Sequence, residues 1–282
     1  MKSFLKSKNV GSLLIHFAFL ILLVCMKNDN ANSQTQTAIQ PRTQKQAKAK
    51  TSSQKHFAPE SANKAIAQAQ QNGDFLYMLF YEKKDDSFQE MQKTVQSFSK
   101  NSAKAIKTYT ALTTDIKESD VIQKYGINRV SLPVLLAFAP NGAITGGFPQ
   151  KVTEKQLSSC MVSRLIMNVL KSVQAQKIAL VLLQNKNTKF NTETTNVADE
   201  FSKDERLIGY VDIIKQDPND GEIKDFLTQC KIESATKEAT TVLIVPPGKI
   251  GGVYSGKVTK EILIAGLASC SSGGCGSSCG PR

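Results

Sequence analysis

Sulfur is the chemistry this sequence displays most openly. It carries six cysteines, Cys25, Cys160, Cys230, Cys270, Cys275 and Cys279. The last three fall within ten residues, Cys270-Ser271-Ser272-Gly273-Gly274-Cys275-Gly276-Ser277-Ser278-Cys279, with no hydrophobe between them. Such a segment cannot bury its thiols, and three uses stay open. The cysteines form an incidental disulfide on a flexible end, they act as an exposed redox pair, or two or three thiolates hold a soft ion such as Cu(I). A structural zinc site would need a fourth ligand and more regular spacing. Cys160 recurs with Leu157, Met161, Leu165 and Val169 on a helical period and reads as a small core residue. Cys230 reads the same way, and a disulfide between the two is left open. No two cysteines have the Cys-x-x-Cys spacing, and the only histidines, His16 and His56, lie in the N-terminal segment. If Cys25 is removed or lipidated, five cysteines remain, an odd number that leaves at least one thiol unpaired or shared between chains.

The residues before position 61 look unlike the rest. Lys2, Lys6 and Lys8 precede an apolar run over 13–24, a basic n-region followed by an h-region of export-signal length. Extended to 10–26, the run reaches 17 residues, the lower limit for a spanning helix. Three fates are open: cleavage after Ser33, retention as a membrane anchor, or lipidation at Cys25 behind Leu22-Leu23-Val24. Each predicts an extracytoplasmic, periplasmic or secreted, location. Residues 34–60 are rich in Gln, Lys, Thr, Ser and Ala without apolar periodicity, and a disordered tether is expected there. The formal charge of +12 sits largely in this region, because residues 1–60 hold nine Lys/Arg against two Asp/Glu. No basic face interleaved with aromatics remains in the other 222 residues, so nucleic acid is not an expected partner.

The remainder repeats itself. Apolar runs of strand length occur at Phe75-Leu76-Tyr77-Met78-Leu79-Phe80-Tyr81 and at Ile178-Ala179-Leu180-Val181-Leu182-Leu183. Aligned without gaps, Phe80-Tyr81 faces Leu182-Leu183 at a spacing of 102 residues. Strands over 108–114 and 208–214 and helices over 117–125 and 222–230 follow. Further strands at Val134-Leu135-Leu136-Ala137-Phe138 and Val242-Leu243-Ile244-Val245 each lead through a Gly-containing turn and another strand to Lys-Val-Thr, at 151–153 and 257–259. Thr153 with Gln156 predicts a capping box on the helix closing the first unit.

That order, with Phe80-Tyr81-Glu82, Tyr125-Gly126-Ile127-Asn128-Arg129-Val130-Ser131-Leu132-Pro133 and Phe138-Ala139-Pro140-Asn141-Gly142, resembles the thioredoxin-like superfamily. The resemblance implies an α/β chain of two tandem thioredoxin-like domains, each a mixed sheet flanked by helices. The first covers 61–160 and the second, more divergent, 161–268, before a Gly/Ser/Cys-rich tail over 269–282. It also implies that Pro133 is cis and faces the active-site turn, with Thr241 in its place in the second unit. The positions of the redox pair fall on Asp85 and Phe88, and on Asn187 and Phe190. None is a thiol, so no catalytic residue is expected in either domain. Asp85, Asp86 and Asn187 are instead good helix caps, and Ser87 with Glu90 reads as a capping box. The expected function is a redox-inactive, protein-binding or scaffold module with no cofactor. The alternatives are thiol–disulfide exchange or copper carriage by Cys270, Cys275 and Cys279, with an unidentified protein partner and membrane contact through the N-terminal segment.

Overall fold

A computed structural model describes residues 57–233 and 236–271. Each half is a four-stranded sheet between two layers of helices. In domain 1, α1 (Ala62–Asn72) precedes β1 (Phe75–Tyr81), α2 (Asp86–Asn101), β2 (Ile106–Leu112), α3 (Ser119–Tyr125), β3 (Val134–Phe138), β4 (Ile144–Pro149) and α4 (Glu154–Ser159). Domain 2 repeats the series as α5 (Arg164–Gln174), β5 (Ile178–Leu183), α6 (Asn191–Ser202), β6 (Val211–Gln216), α7 (Lys224–Gln229), β7 (Thr240–Val245), β8 (Lys249–Ser255) and α8 (Lys260–Ser271). The strand orders are β2-β1-β3-β4 and β6-β5-β7-β8. The first pair in each sheet is parallel and the other two are antiparallel.

β1 and β5 run down the middle of their sheets and are buried along nearly their whole length. Layers on both sides explain why these strands are unbroken apolar runs rather than alternating ones. Leu76, Met78 and Phe80 pack on the side of α1 and α3, while Tyr77 and Leu79 pack with Phe88, Met91 and Leu157 on the side of α2 and α4. In domain 2, Ala179, Val181 and Leu183 face α5 and α7, and Leu180 and Leu182 face α6 and α8. Matching faces therefore place Leu76 on Ala179 and Phe80 on Leu183, a spacing of 103 residues. The gap-free alignment at 102 is one residue out, a slip that exchanges the two faces of a strand.

The correct register carries through the ladders. Leu79 pairs with Leu135 and Leu182 with Thr241, so Thr241 is the counterpart of Leu135. Irregularities at Ala137/Phe138 and Leu243/Ile244 then coincide as well. The capping box of Thr153 and Gln156 is present, and Thr259 Oγ1 accepts from Ile262 N (3.4 Å) at the start of α8.

Several expected boundaries move. The helical period through Cys160 is broken, since α4 ends at Ser159 and Ser163 caps a new helix, α5. Phe57, within the segment expected to be a tether, packs on the α1 side of domain 1. The backbone of Cys270 lies in the last turn of α8, inside the segment read as a flexible tail. Cys25, Cys275 and Cys279 lie outside the described residues. No helix among the described residues is long and apolar enough to cross a membrane.

Helix α5 belongs to both halves. Leu165, Val169 and Val173 fill the core of domain 2. Its opposite side places Met167 and Leu170 against Phe75, Ala139 and Ala143 of domain 1. Gln174 extends the contact by pairing with the backbone of β4, accepting from Ile144 N (2.9 Å) and donating to Ile144 O (2.7 Å). Asn141 Nδ2 donates to Met167 O (2.8 Å) at the other end. An amide side chain thus satisfies backbone groups at the edge of the sheet, where unpaired groups invite wrong partners.

Candidate functional site

The C-terminal end of β1 runs through residues 82–85 into α2. Asp85 caps that helix, with Oδ1 accepting from Phe88 N at 2.9 Å. Helix α2 begins at Asp86, so the cap is Asp85 itself and not the Ser87–Glu90 box. A carboxylate at this point also meets the positive end of the helix dipole, where a catalytic thiolate would otherwise be stabilised. Phe88 is 2% exposed and stacks on Tyr81, with ring centroids 4.4 Å apart at 39°. Lys84 Nζ lies 5.9 Å from the Tyr81 ring centroid.

Pro133 stands at the same end of the sheet. The Leu132–Pro133 bond is cis, and Phe80 pairs with Val134 just beyond it. The proline carbonyl accepts from Gln150 N at 2.6 Å. Asp85, Phe88 and Pro133 therefore mark one end of domain 1; none of them is a thiol, and the Asp85 carboxylate is engaged as the helix cap.

Domain 2 differs from the expected arrangement. In the corrected register, Ala239 is the counterpart of Pro133, Thr188 of Asp85 and Asn191 of Phe88. Thr241 is therefore not at the proline's place, and Asn187 and Phe190 are not at the redox positions. Asn187 caps nothing: it is an exposed loop residue whose N–H donates to Asn185 Oδ1 (2.8 Å). Phe190 sits at the helix boundary with φ 65°, a left-handed conformation unusual for an aromatic residue, and Lys257 Nζ lies 5.3 Å from its ring. Thr188 makes the local contacts instead, donating to Asn191 Oδ1 (2.6 Å) and accepting from Asn185 N (2.9 Å). The backbone before β7 is already engaged, with Ala239 N donating to Lys189 O (2.9 Å) and Lys189 N to Lys237 O (2.9 Å).

The two thiols in the domains are removed from these ends and from each other. Cys160 lies in the core on the α2 side of domain 1, where its Sγ donates to Gln156 O at 3.3 Å. Cys230 lies in the α5-side core of domain 2, at the place Tyr125 holds in the first domain. Neither is in a disulfide. Burial pushes the Cys230 thiol up to about 12, so it is a neutral thiol at physiological pH and a poor nucleophile.

Two structural residues carried no signal in the sequence pattern. Glu118 is 3% exposed, accepting from Ala62 N (2.8 Å) at the start of α1 and from Tyr109 OH (2.7 Å) on β2. Burial, followed by the Glu118 carboxylate, raises the Tyr109 phenol above its ordinary range. Residues 56 apart in sequence cannot reveal such a cap from spacing. Ala239 was hidden because the run starting at Val134 matches the run starting at Val242 in sequence, two residues off the ladder register.

No family model matches the sequence, and no curated protein does. Similar solved structures include human ERp44 (11% identity, 75% of this chain and 56% of that one, TM-score 0.30). The first two thioredoxin domains of Naumovozyma dairenensis Eps1p also match (11%, 80% and 100%, 0.28). So does the N-terminal domain of alkylhydroperoxide reductase AhpF from Enterococcus faecalis (15%, 72% and 97%, 0.24). This chain spans little more than half the length of the ERp44 chain. At these identities and TM-scores, none of the three lends this chain an activity, and the assignment rests on strand order, ladder directions and helix layers. The chain is built on two tandem thioredoxin-like folds.

Proposed function

We propose that the protein is an exported, redox-inactive module that binds or holds another polypeptide. The observation that carries this reading is the filling of the redox positions in domain 1: a helix-capping Asp85 and a buried Phe88 stacked on Tyr81. Exchange chemistry requires an accessible low-pKa thiolate at a helix N-terminus, and Cys160 and Cys230 are buried elsewhere. In domain 2 the backbone before β7 is engaged by Lys189, so the Pro133 end of domain 1 is the face offered to a partner. The basic and apolar N-terminus supports a location outside the cytoplasm, with a membrane tether where that segment is kept or Cys25 is lipidated.

Two assays on the full chain test the reading. Insulin-disulfide reduction should not exceed that of dithiothreitol alone. A reduced, carboxymethylated polypeptide should bind saturably and should bind more weakly to a Leu132→Asp variant. Insulin turnover that disappears in Cys275→Ser/Cys279→Ser would replace this reading with redox chemistry by the C-terminal cysteines. Stoichiometric copper on the reduced protein, lost with the same changes, would replace it with metal carriage.

A further inference from the structure

Four matching positions are apolar or aromatic in domain 1 and polar in domain 2. Tyr81, Phe88, Met91 and Leu135 close one end of the layer between the first sheet and α2. Gln184, Asn191, Thr194 and Thr241 occupy those places in domain 2. Thr194 and Thr241 are each 1% exposed. Both belong to the α6 side of the sheet: Thr194 is on the buried face of α6, and Thr241 pairs with Leu182, whose side chain packs in that layer. The hydroxyls of Thr194 and Thr241, and Oε1 of Gln184, have no hydrogen-bond partner among the described residues. Among the described residues only four buried side-chain atoms are in this position, and three belong to this group.

Gln184 and Asn191 are partly exposed and stand where the layer meets solvent. Gln184 Nε2 donates to Thr195 Oγ1 (3.3 Å), and Asn191 is held by Thr188, which leaves Gln184 Oε1 available. Unmet hydroxyls are unfavourable in an apolar layer, and their concentration at one end marks a place prepared for a hydrogen-bonding guest. No charged side chain is a member of the group, so a bound ion would be uncompensated there. Hydroxyls that donate and accept, beside an amide oxygen that accepts, suit a group able to do both.

The geometry points to a small-ligand site in domain 2, between β7 and the first turn of α6, that takes a neutral hydroxyl- or amide-bearing group. The test is a titration of the full chain, labelled with 13C at threonine methyls, with ethylene glycol and with acetamide. Saturable shifts of the Thr194 and Thr241 methyls are expected with at least one probe, without comparable movement at buried Thr145 of domain 1. Thr194→Val and Thr241→Val keep the side-chain shape and should each weaken at least tenfold the apparent affinity read from the threonine methyl that remains, with an unchanged circular dichroism spectrum. Linear, unsaturated shifts with both probes would overturn the proposal. So would a saturable response that survives at the labelled Thr188 and Thr195 methyls in the Thr194→Val/Thr241→Val double variant. Should the double variant melt higher than the parent, and the parent respond to neither probe, the hydroxyls are merely unpaired and the site does not exist.

Discussion

Where β1 and β5 pass into their helices, the two domains share a backbone and differ in what fills it. Domain 1 closes that end with Tyr81, Phe88, Met91 and Leu135, and Asp85 fastens the helix over them. Domain 2 places Gln184, Asn191, Thr194 and Thr241 there, with Thr188 in a mesh of short polar contacts. A duplicated fold can thus finish the same end in two ways. One copy packs it as core, and the other keeps it polar.

The widest gap between the copies should appear at one matched pair. Phe88→Ala removes a buried ring and should lower stability by about 3–5 kcal/mol, whereas Asn191→Ala should cost about 1 kcal/mol. Equilibrium urea unfolding of both variants measures the difference, and equal losses would break the contrast between a packed end and a polar one. Next in size is the junction. Gln174→Ala deletes two hydrogen bonds to β4 and should cost about 1–3 kcal/mol; calorimetry should show the domains melting further apart than in the parent.

A smaller loss, about 1 kcal/mol, is expected for Asp85→Ala, which removes only the cap. If its thermal midpoint equals that of the parent, Asp85 is not kept as a cap. The last effect is absent at neutral pH. The Cys230 thiol is raised in the fold, from an ordinary 9.0 to about 12, so the unfolded chain ionises first. Stability should be indifferent to this group below about pH 9 and fall as pH rises from there towards 12. In Cys230→Ala that alkaline component should vanish, and a thiol reagent should find Cys160 and Cys230 slow to react at pH 8 in the parent.

Much of this was legible in the sequence because it is written in local signals. Pro133, the cap at Asp85, the Thr153–Gln156 box and the order of the elements are each set by residues near one another. The register of the repeat was not. β1 and β5 are covered on both faces, so their sequences lack the alternation that tells one face from the other, and a gap-free match fell one residue off. That slip put Asn187 and Phe190 at the redox positions, and matching Val134 with Val242, two residues off the ladder register, put Thr241 at the proline's place. The polar end of domain 2 shows only after the faces are assigned, because its members come from a loop, a helix and a strand. Glu118 and Gln174 act across 56 and 30 residues of sequence, beyond the reach of any short pattern.

Helix α5 also governs how the molecule can be dissected. A fragment ending at Cys160 would strip the cover from Phe75, Ala139 and Ala143 and leave the Ile144 edge bare. A fragment beginning at Ile178 would lack Leu165, Val169 and Val173, one wall of its own core. No single cut yields two intact halves, so a protease that nicks the chain near residue 161 should leave the pieces associated until they are denatured.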